Sequence, residues 1–316
     1  MMATKNLTGR GTETKTIQEL LCFPAFISGL QQQQLICLAT VNIFLSVTSF
    51  LGNCLILVAL HRVSFLHPPS KLLYRNLATT DLLVGLVSQP LSATYWISLV
   101  YEHWSLCRYA NSAAYITSYA LCSVSLMTMT AISVDRLLAL LIGLRYKQIV
   151  TLRHTGIILI IFWVLSIVAV LLYAVEYRIT EWYGRIVIPS CQVISFLSYM
   201  KIFCTLRQYH AQILDHVQQE PSQPNALNIA RYRKAVCSAL WVQLALVACY
   251  LPYGVVEIVI NHSKAYSLHL VIVRGVAVVL VHFNSTLNPF LYCWKIGEVR
   301  QAVKLTIRQA LCILWS

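Results

Sequence analysis

Charge is what this 316-residue chain has least of: only 11% of its residues are Asp, Glu, Lys or Arg. Soluble globular domains carry roughly a quarter. So little charge beside 58% hydrophobic residues excludes an ordinary soluble domain and a disordered chain alike. Acidic residues are scarcer still, 11 against 24 basic ones, which leaves a formal charge of +13. Cys-x-x-Cys pairs are missing although there are 11 cysteines, so zinc ribbons and dithiol redox motifs are excluded. Most of these cysteines, Cys54, Cys122, Cys191 and Cys249 among them, fall in apolar runs, where a thiol packs as a small hydrophobe. Residues 1–19 are polar and lack the apolar core of a signal peptide, so the first hydrophobic run is expected to act as its own insertion signal.

Long apolar runs dominate what is present. Seven stretches, at about 35–60, 72–98, 108–140, 155–176, 186–206, 235–260 and 270–294, are each long enough to match the ~20 residues that cross a bilayer. The fifth has the shortest core. The expected fold is all-α: a seven-helix transmembrane bundle over residues 35–294, preceded by an outer tail of residues 1–34. Residues 295–316 read as a short interfacial eighth helix, with Lys304 and Arg308 polar and Val303, Leu305 and Ile307 apolar. Two thirds of the 24 Lys and Arg fall in one alternating set of connections, which places that set in the cytoplasm and the N-terminus outside. The sequons at Asn6 and Asn261 then face outward as glycosylation candidates, while Asn284-Ser285-Thr286 lies inside the seventh run and is read as chance. The basic excess is thus an orientation signal beside anionic lipid, and nucleic acid is not needed to explain it.

Ionisable groups in a span cost about 2.5–3.5 kcal/mol or more near its centre, so each needs a reason. Asp81 on span 2 is the clearest case, with Asn53 on span 1, Ser125 on span 3, and Asn284 and Asn288 on span 7 as further buried polar candidates. Asn284, Asn288 and Tyr292 repeat at i, i+4, i+8 and share a helix face. An anionic Asp ringed by amides and a hydroxyl suits a small hydrated cation such as sodium. A neutral Asp holding helices together by hydrogen bonds accounts for the same residues. On span 3, Ser118 and Arg136 are five whole turns apart on one face, roughly 27 Å along the axis. That face runs from an outer cavity to the cytoplasmic mouth, with Asp135 as a local counter-charge; an Arg snorkelling to lipid is the alternative.

The motifs, in order, are Gly52-Asn53, Leu77-Ala78-Thr79-Thr80-Asp81, Asp135-Arg136-Leu137, Leu144-Arg145-Tyr146, Trp163, Tyr199, Cys249-Tyr250-Leu251-Pro252 and Asn288-Pro289-Phe290-Leu291-Tyr292. Together they resemble the rhodopsin-like (class A) G-protein-coupled receptors over residues 35–313. The resemblance implies a receptor at the plasma membrane that takes an extracellular ligand and activates a heterotrimeric G protein, with arrestin, receptor kinases and membrane lipids as further partners. It also implies an allosteric sodium site at Asp81, Ser125, Asn284 and Asn288, with no other metal or cofactor. Arg136 would meet the G protein, with Tyr199 and Tyr292 swinging in to line the opened cavity and span 6 pivoting at Pro252 above the basic residues Arg207, Arg231, Arg233 and Lys234. Cys312 would be either palmitoylated or a free thiol.

Several positions depart from the family pattern. The third-span cysteine that pairs with the second outer loop is Asn111 here, and that loop, read as residues 177–185, contains no Cys. Span 5 lacks the mid-span Pro at Cys191, the nearest being Pro189. These features resemble a branch holding the melanocortin, adenosine, cannabinoid and lysophospholipid receptors, although the melanocortin acidic positions are Leu91, Asn111 and Tyr115 here. Cys22 and Cys107 are the two outward cysteines; they either bridge, folding the segment from Leu20 to Phe26 over the pocket, or stay free. Tyr250 replaces the usual Trp of span 6, and Tyr232 stands where relatives have an acid that latches Arg136, which implies basal activity.

The expected ligand-binding wall comprises Ser118, Tyr119, Cys122, Tyr250, Tyr253, Glu257, Arg274, Val278 and His282. By the resemblance, Ser118 holds the place of the amine receptors' Asp, which disfavours a biogenic amine. His282 holds the retinal-attachment place, which excludes an opsin. His282 with Asn42 is similar to the polar corner of adenosine receptors. For Glu257 the other reading is a rim charge paired to Arg274 or Lys264, and for His282 a packed core residue. Not an enzyme is the expectation: a transporter would show inverted repeats, and a metallohydrolase several intramembrane His or carboxylate ligands.

Overall fold

The computed structural model describes residues 21–24, 29–62, 66–173, 177–217, 241, 243–260, 267–295 and 297–314. Among these every regular element is helical. In chain order they are α1 (Gln32–Arg62), α2 (Pro68–Val100), α3 (Trp104–Ile142), α4 (Leu152–Tyr173), α5 (Tyr177–Val217), α6 (Gln243–Ile260), α7 (Leu268–Lys295) and α8 (Gly297–Leu314), with a single turn at Tyr146–Ile149 between α3 and α4. The first seven are long and apolar enough to cross a membrane. The chain is an all-α, multi-pass membrane protein.

Local chemistry sets the boundaries. Pro68 and Pro69 open α2, where a missing N–H costs nothing. α3 stops at Gly143, whose φ of +56° is left-handed and suits glycine. Within α2 a wider π turn spans Val84–Ser88 just ahead of Pro90, which has no N–H to donate. There Gly85 lets α1 approach closely: a Cβ would lie 2.9 Å from the Phe50 nitrogen, and the Ser46 hydroxyl donates to the Gly85 carbonyl at 2.6 Å.

The inner faces of the helices pack around Ile56, Leu77, Val84, Leu126 and Leu246. A polar tie crosses three helices: Trp163 Nε1 donates to Asn76 Oδ1 at 3.0 Å, and Asn76 Nδ2 donates to Thr128 Oγ1 at 2.9 Å. On α4, Ile160, Val164, Leu165 and Leu171 stay exposed on the outer face, as lipid contact requires.

One expectation needs correction. Residues 177–185 are not a loop; they are the first turns of α5, which at 41 residues is the longest helix among the described residues. Pro189 lies inside that helix, two residues before Cys191, which itself holds the place without a Pro. Polar and aromatic residues such as Thr180 and Tyr183 hid this turn from a hydropathy reading, yet both are used in packing against α3 and α4. In α8 the docked residues are Val299, Ala302 and Val303, whereas Leu305 and Ile307 are exposed.

Candidate ligand cavity and polar core

At one end of the bundle α2, α3, α5, α6 and α7 enclose a cavity of about 1020 Å³, counting its open mouth. Eight of the nine expected wall residues line it: Ser118, Tyr119, Cys122, Tyr250, Tyr253, Arg274, Val278 and His282. Glu257 does not. It sits behind the wall, where Arg274 Nε donates to its Oε1 at 2.8 Å across α6 and α7. Sequence reasoning missed the aromatic lining residues Tyr95, Trp96, Tyr115 and Tyr183 and the aliphatic Val187. Tyr95 and Trp96 sit one turn past Ser92 on the cavity face of α2, a periodicity visible in the sequence; Tyr183 was hidden by the misplaced loop.

Hydrogen bonds fix the cavity floor. Asn42 Nδ2 donates to the Leu38 carbonyl at 2.8 Å, so its Oδ1 is the acceptor for His282 Nδ1, 3.3 Å away. The proton then rests on Nδ1, and Nε2 accepts from the Ser118 hydroxyl at 3.0 Å. Ser118 is left presenting acceptor lone pairs. Tyr119 donates to the Thr180 carbonyl at 2.6 Å, pinning the first turns of α5, and Tyr250 donates to the Cys122 carbonyl at 3.4 Å. Cys22 and Cys107 form a disulfide, and the neighbouring Leu21, 2% exposed, reaches the cavity lining. Leu20, Ala25 and Phe26 of that segment lie outside the described residues.

Below the floor, Asp81 is fully buried. Ser125 donates to its Oδ1 at 2.9 Å, and Asn288 Nδ2 to its Oδ2 at 2.6 Å. Asn53 does not touch the carboxylate; its amide donates to the Ser49 and Ser285 carbonyls at 2.9 and 3.1 Å, joining α1 to α7. Asn284 Nδ2 turns to Met129 Sδ at 3.4 Å, and the Oδ1 atoms of Asn53 and Asn284 have no hydrogen-bond partner. The chemistry of the buried Asp81 carboxylate, with unpartnered Oδ1 atoms on Asn53 and Asn284, is that of the oxygen donors a hard cation takes.

At the far end of α3, Arg136 lies over the Tyr74 ring with Cζ 5.4 Å from its centroid. Asp135 is a poor counter-charge for it, at 3.9 Å, because its carboxylate is already taken. Tyr146 donates to Oδ1 at 2.5 Å and Ser70 to Oδ2 at 2.9 Å. Burial, with that bond to Asp135 next, pushes the Tyr146 phenol up to about 12. Tyr199 and Tyr292 border a small cavity beside Tyr74, Met129 and Ile132. Pro252 lies in α6 and Pro289 in α7, where Gly52 leaves room for it. Cys312 is exposed on α8. Asn6, Asn261, Lys264, Arg231, Tyr232, Arg233 and Lys234 lie outside the described residues. Among the described residues no cluster of three or more His, Cys, Asp or Glu could hold a metal.

Comparison with known proteins gives one family: that described as 7 transmembrane receptor (rhodopsin family) matches residues 52–292. The histamine H2 receptor of Rattus norvegicus is 27% identical, over 76% of this chain and 71% of that protein. The adenosine receptor A2a of Homo sapiens is 26% identical over 85% of this chain and 71% of its own length. Melanocortin receptor 5 of Mus musculus is 23% identical, covering 84% and 82%.

Proposed function

This chain belongs to the rhodopsin family of seven-transmembrane receptors, and on that premise we propose that a ligand seated in the cavity drives a G protein at the Arg136 end. The observation that carries the reading is the single face of α3. Ser118 on the cavity floor, Ser125 on Asp81 and Arg136 at the far mouth all belong to it. One rigid helix thus touches all three places. The mechanism is a population shift: an agonist acts by binding the open state more tightly than the closed one. α6 pivots near Pro252 and uncovers the small cavity beside Tyr199 and Tyr292. Asp81, with Ser125 and Asn288 bonded to it, would hold a sodium ion if one binds, and that ion would favour the closed state.

In this reading the receptor sits in the plasma membrane with the cavity outside, glycans on Asn6 and Asn261, and α8 along the inner leaflet with Cys312 acylated. Arrestin and receptor kinases meet the same inner face. A transporter or intramembrane enzyme is not favoured, since the relatives compared are receptors. A ligand screen read through cAMP tests the proposal in cells carrying the parent chain, Asp81→Ala or Arg136→Ala. Arg136→Ala should abolish the response at equal surface expression, and Asp81→Ala should remove its sodium dependence. A response untouched by both variants would defeat the mechanism.

A further inference from the structure

We propose that the Glu257–Arg274 pair makes the cavity select an uncharged ligand, an apolar or aromatic body with a hydrogen-bond acceptor for Arg274 and Tyr95 and a donor for Ser118. The inference rests on the receptor reading, because it names the class of ligand that this cavity takes. Arg274 is the one Asp, Glu, Lys or Arg among the described residues that line the cavity. Its partner Glu257, which does not line the cavity, lies 2.8 Å from it, with side chains 13% and 20% exposed. The two charges cancel. A cationic or anionic head entering here meets attraction from one partner and repulsion from the other, and it loses its hydration in a largely apolar space. An uncharged head loses far less.

The cavity offers donors at its mouth and an acceptor at its floor. A guanidinium carries five N–H donors, and the bond to Glu257 uses one at Nε. Tyr95, 6% exposed, lines the same cavity and has a buried hydroxyl with no hydrogen-bond partner. Buried polar groups are rarely left unpaired, so a ligand acceptor has a place at that hydroxyl as well as at Arg274. Deeper in, the Ser118 proton is committed to His282, which leaves its oxygen to accept. The rings of Tyr115, Tyr119 and Tyr253 and the Val278 side chain give the same cavity its apolar and aromatic surface. Relatives named for histamine do not set the head group here, since no Asp or Glu lines the cavity among the described residues.

The test uses the full chain in lipid nanodiscs and three matched probes: a naphthyl body bearing an acetamide, an acetate or an ethylamine. A decyl body with the amide, carboxylate and amine heads separates aromatic from aliphatic ligands. Binding is read by saturation-transfer NMR and thermal shift, with no G protein present. In the parent the amide of at least one body should bind about tenfold tighter than either charged probe, a difference of about 1.4 kcal/mol. Glu257→Gln should switch the preference to the acetate, and Arg274→Gln should switch it to the amine. The double variant, which removes both charges and guards against misfolding of the single ones, should return to the amide. A parent that prefers a charged probe or binds none, single variants that keep the parent's order, or a double variant without amide preference would each overturn the proposal. Amide binding by a chain that drives no G protein would instead defeat the receptor reading and leave this one standing.

Discussion

Two arginine–carboxylate neighbours sit at opposite ends of the bundle and are built differently. Glu257 and Arg274 are 17 residues apart, on α6 and α7, and meet at 2.8 Å. Asp135 and Arg136 are adjacent in sequence yet stand at 3.9 Å, since successive residues on a helix point about 100° apart. The first pair is a close ion pair that ties two helices together. In the second, Ser70 and Tyr146 hold the carboxylate, and Arg136 rests on Tyr74 with Nε and Nη2 lacking hydrogen-bond partners. Sequence adjacency of opposite charges is therefore no measure of pairing. A locked pair sets the chemistry of a cavity; a loosely held arginine is one that a second protein can engage.

Breaking the closed pair should have the largest effect on stability. Glu257→Gln leaves the Arg274 charge without its carboxylate and should cost about 3 kcal/mol, the low end for a buried pair because both groups keep some exposure. The check is the thermal midpoint of the purified chain, where Glu257→Gln should fall below the parent and the double variant with Arg274→Gln should recover part of the loss. An unchanged midpoint in Glu257→Gln would show that the pair holds nothing.

Asp135→Asn should cost less, about 2 kcal/mol, because it weakens two hydrogen bonds to a charged acceptor, and the Arg136 it leaves was held only at 3.9 Å and is 32% exposed. It should also raise ligand-independent cAMP signalling, since Arg136 loses its remaining anionic neighbour. If Asp135→Asn proved more destabilising than Glu257→Gln, the contrast between a closed and an open pair would be reversed.

Much of this was legible in the sequence, and the failures share a cause. Asp81, Ser125 and Asn288 meet as their intramembrane polarity foretold, because a buried polar group must find partners and the nearest are on facing helices. Eight of the nine expected wall residues line the cavity, Tyr250 and Tyr253 by helical spacing and Ser118 and His282 by their places in the family pattern. Glu257 was misplaced because spacing names the face a residue shares, and not which of two charges stands in front. Asn53 shares the polar core but spends its amide on backbone, a detail that no pattern encodes. The first turns of α5 were lost because hydropathy reads Thr180 and Tyr183 as loop, although their hydroxyls bond to the Ala169 carbonyl and to Ser166. The partners of Asp135 were equally invisible, one 65 residues before it and one 11 after.

The smallest effect sharpens the open end. Tyr146→Phe removes one hydrogen bond from Asp135 and leaves Ser70 in place, so it should cost about 1.5 kcal/mol at neutral pH. Its sign with pH follows from burial and the bond to Asp135, which hold the phenol at about 12, above the ordinary value near 10. A group that folding keeps protonated gives its full contribution below the unfolded value, and loses it as pH rises toward the folded one. The parent should therefore outlast Tyr146→Phe by a constant margin up to about pH 10, and that margin should shrink between pH 10 and 12. Thermal midpoints of both chains across that range measure it. A margin that stays constant to pH 12 would mean that the phenol titrates as an ordinary tyrosine, and that Asp135 is held by Ser70 alone. The carboxylate would then be freer to turn toward Arg136 than the structure implies, and the two ends of the bundle would differ less than their geometry suggests.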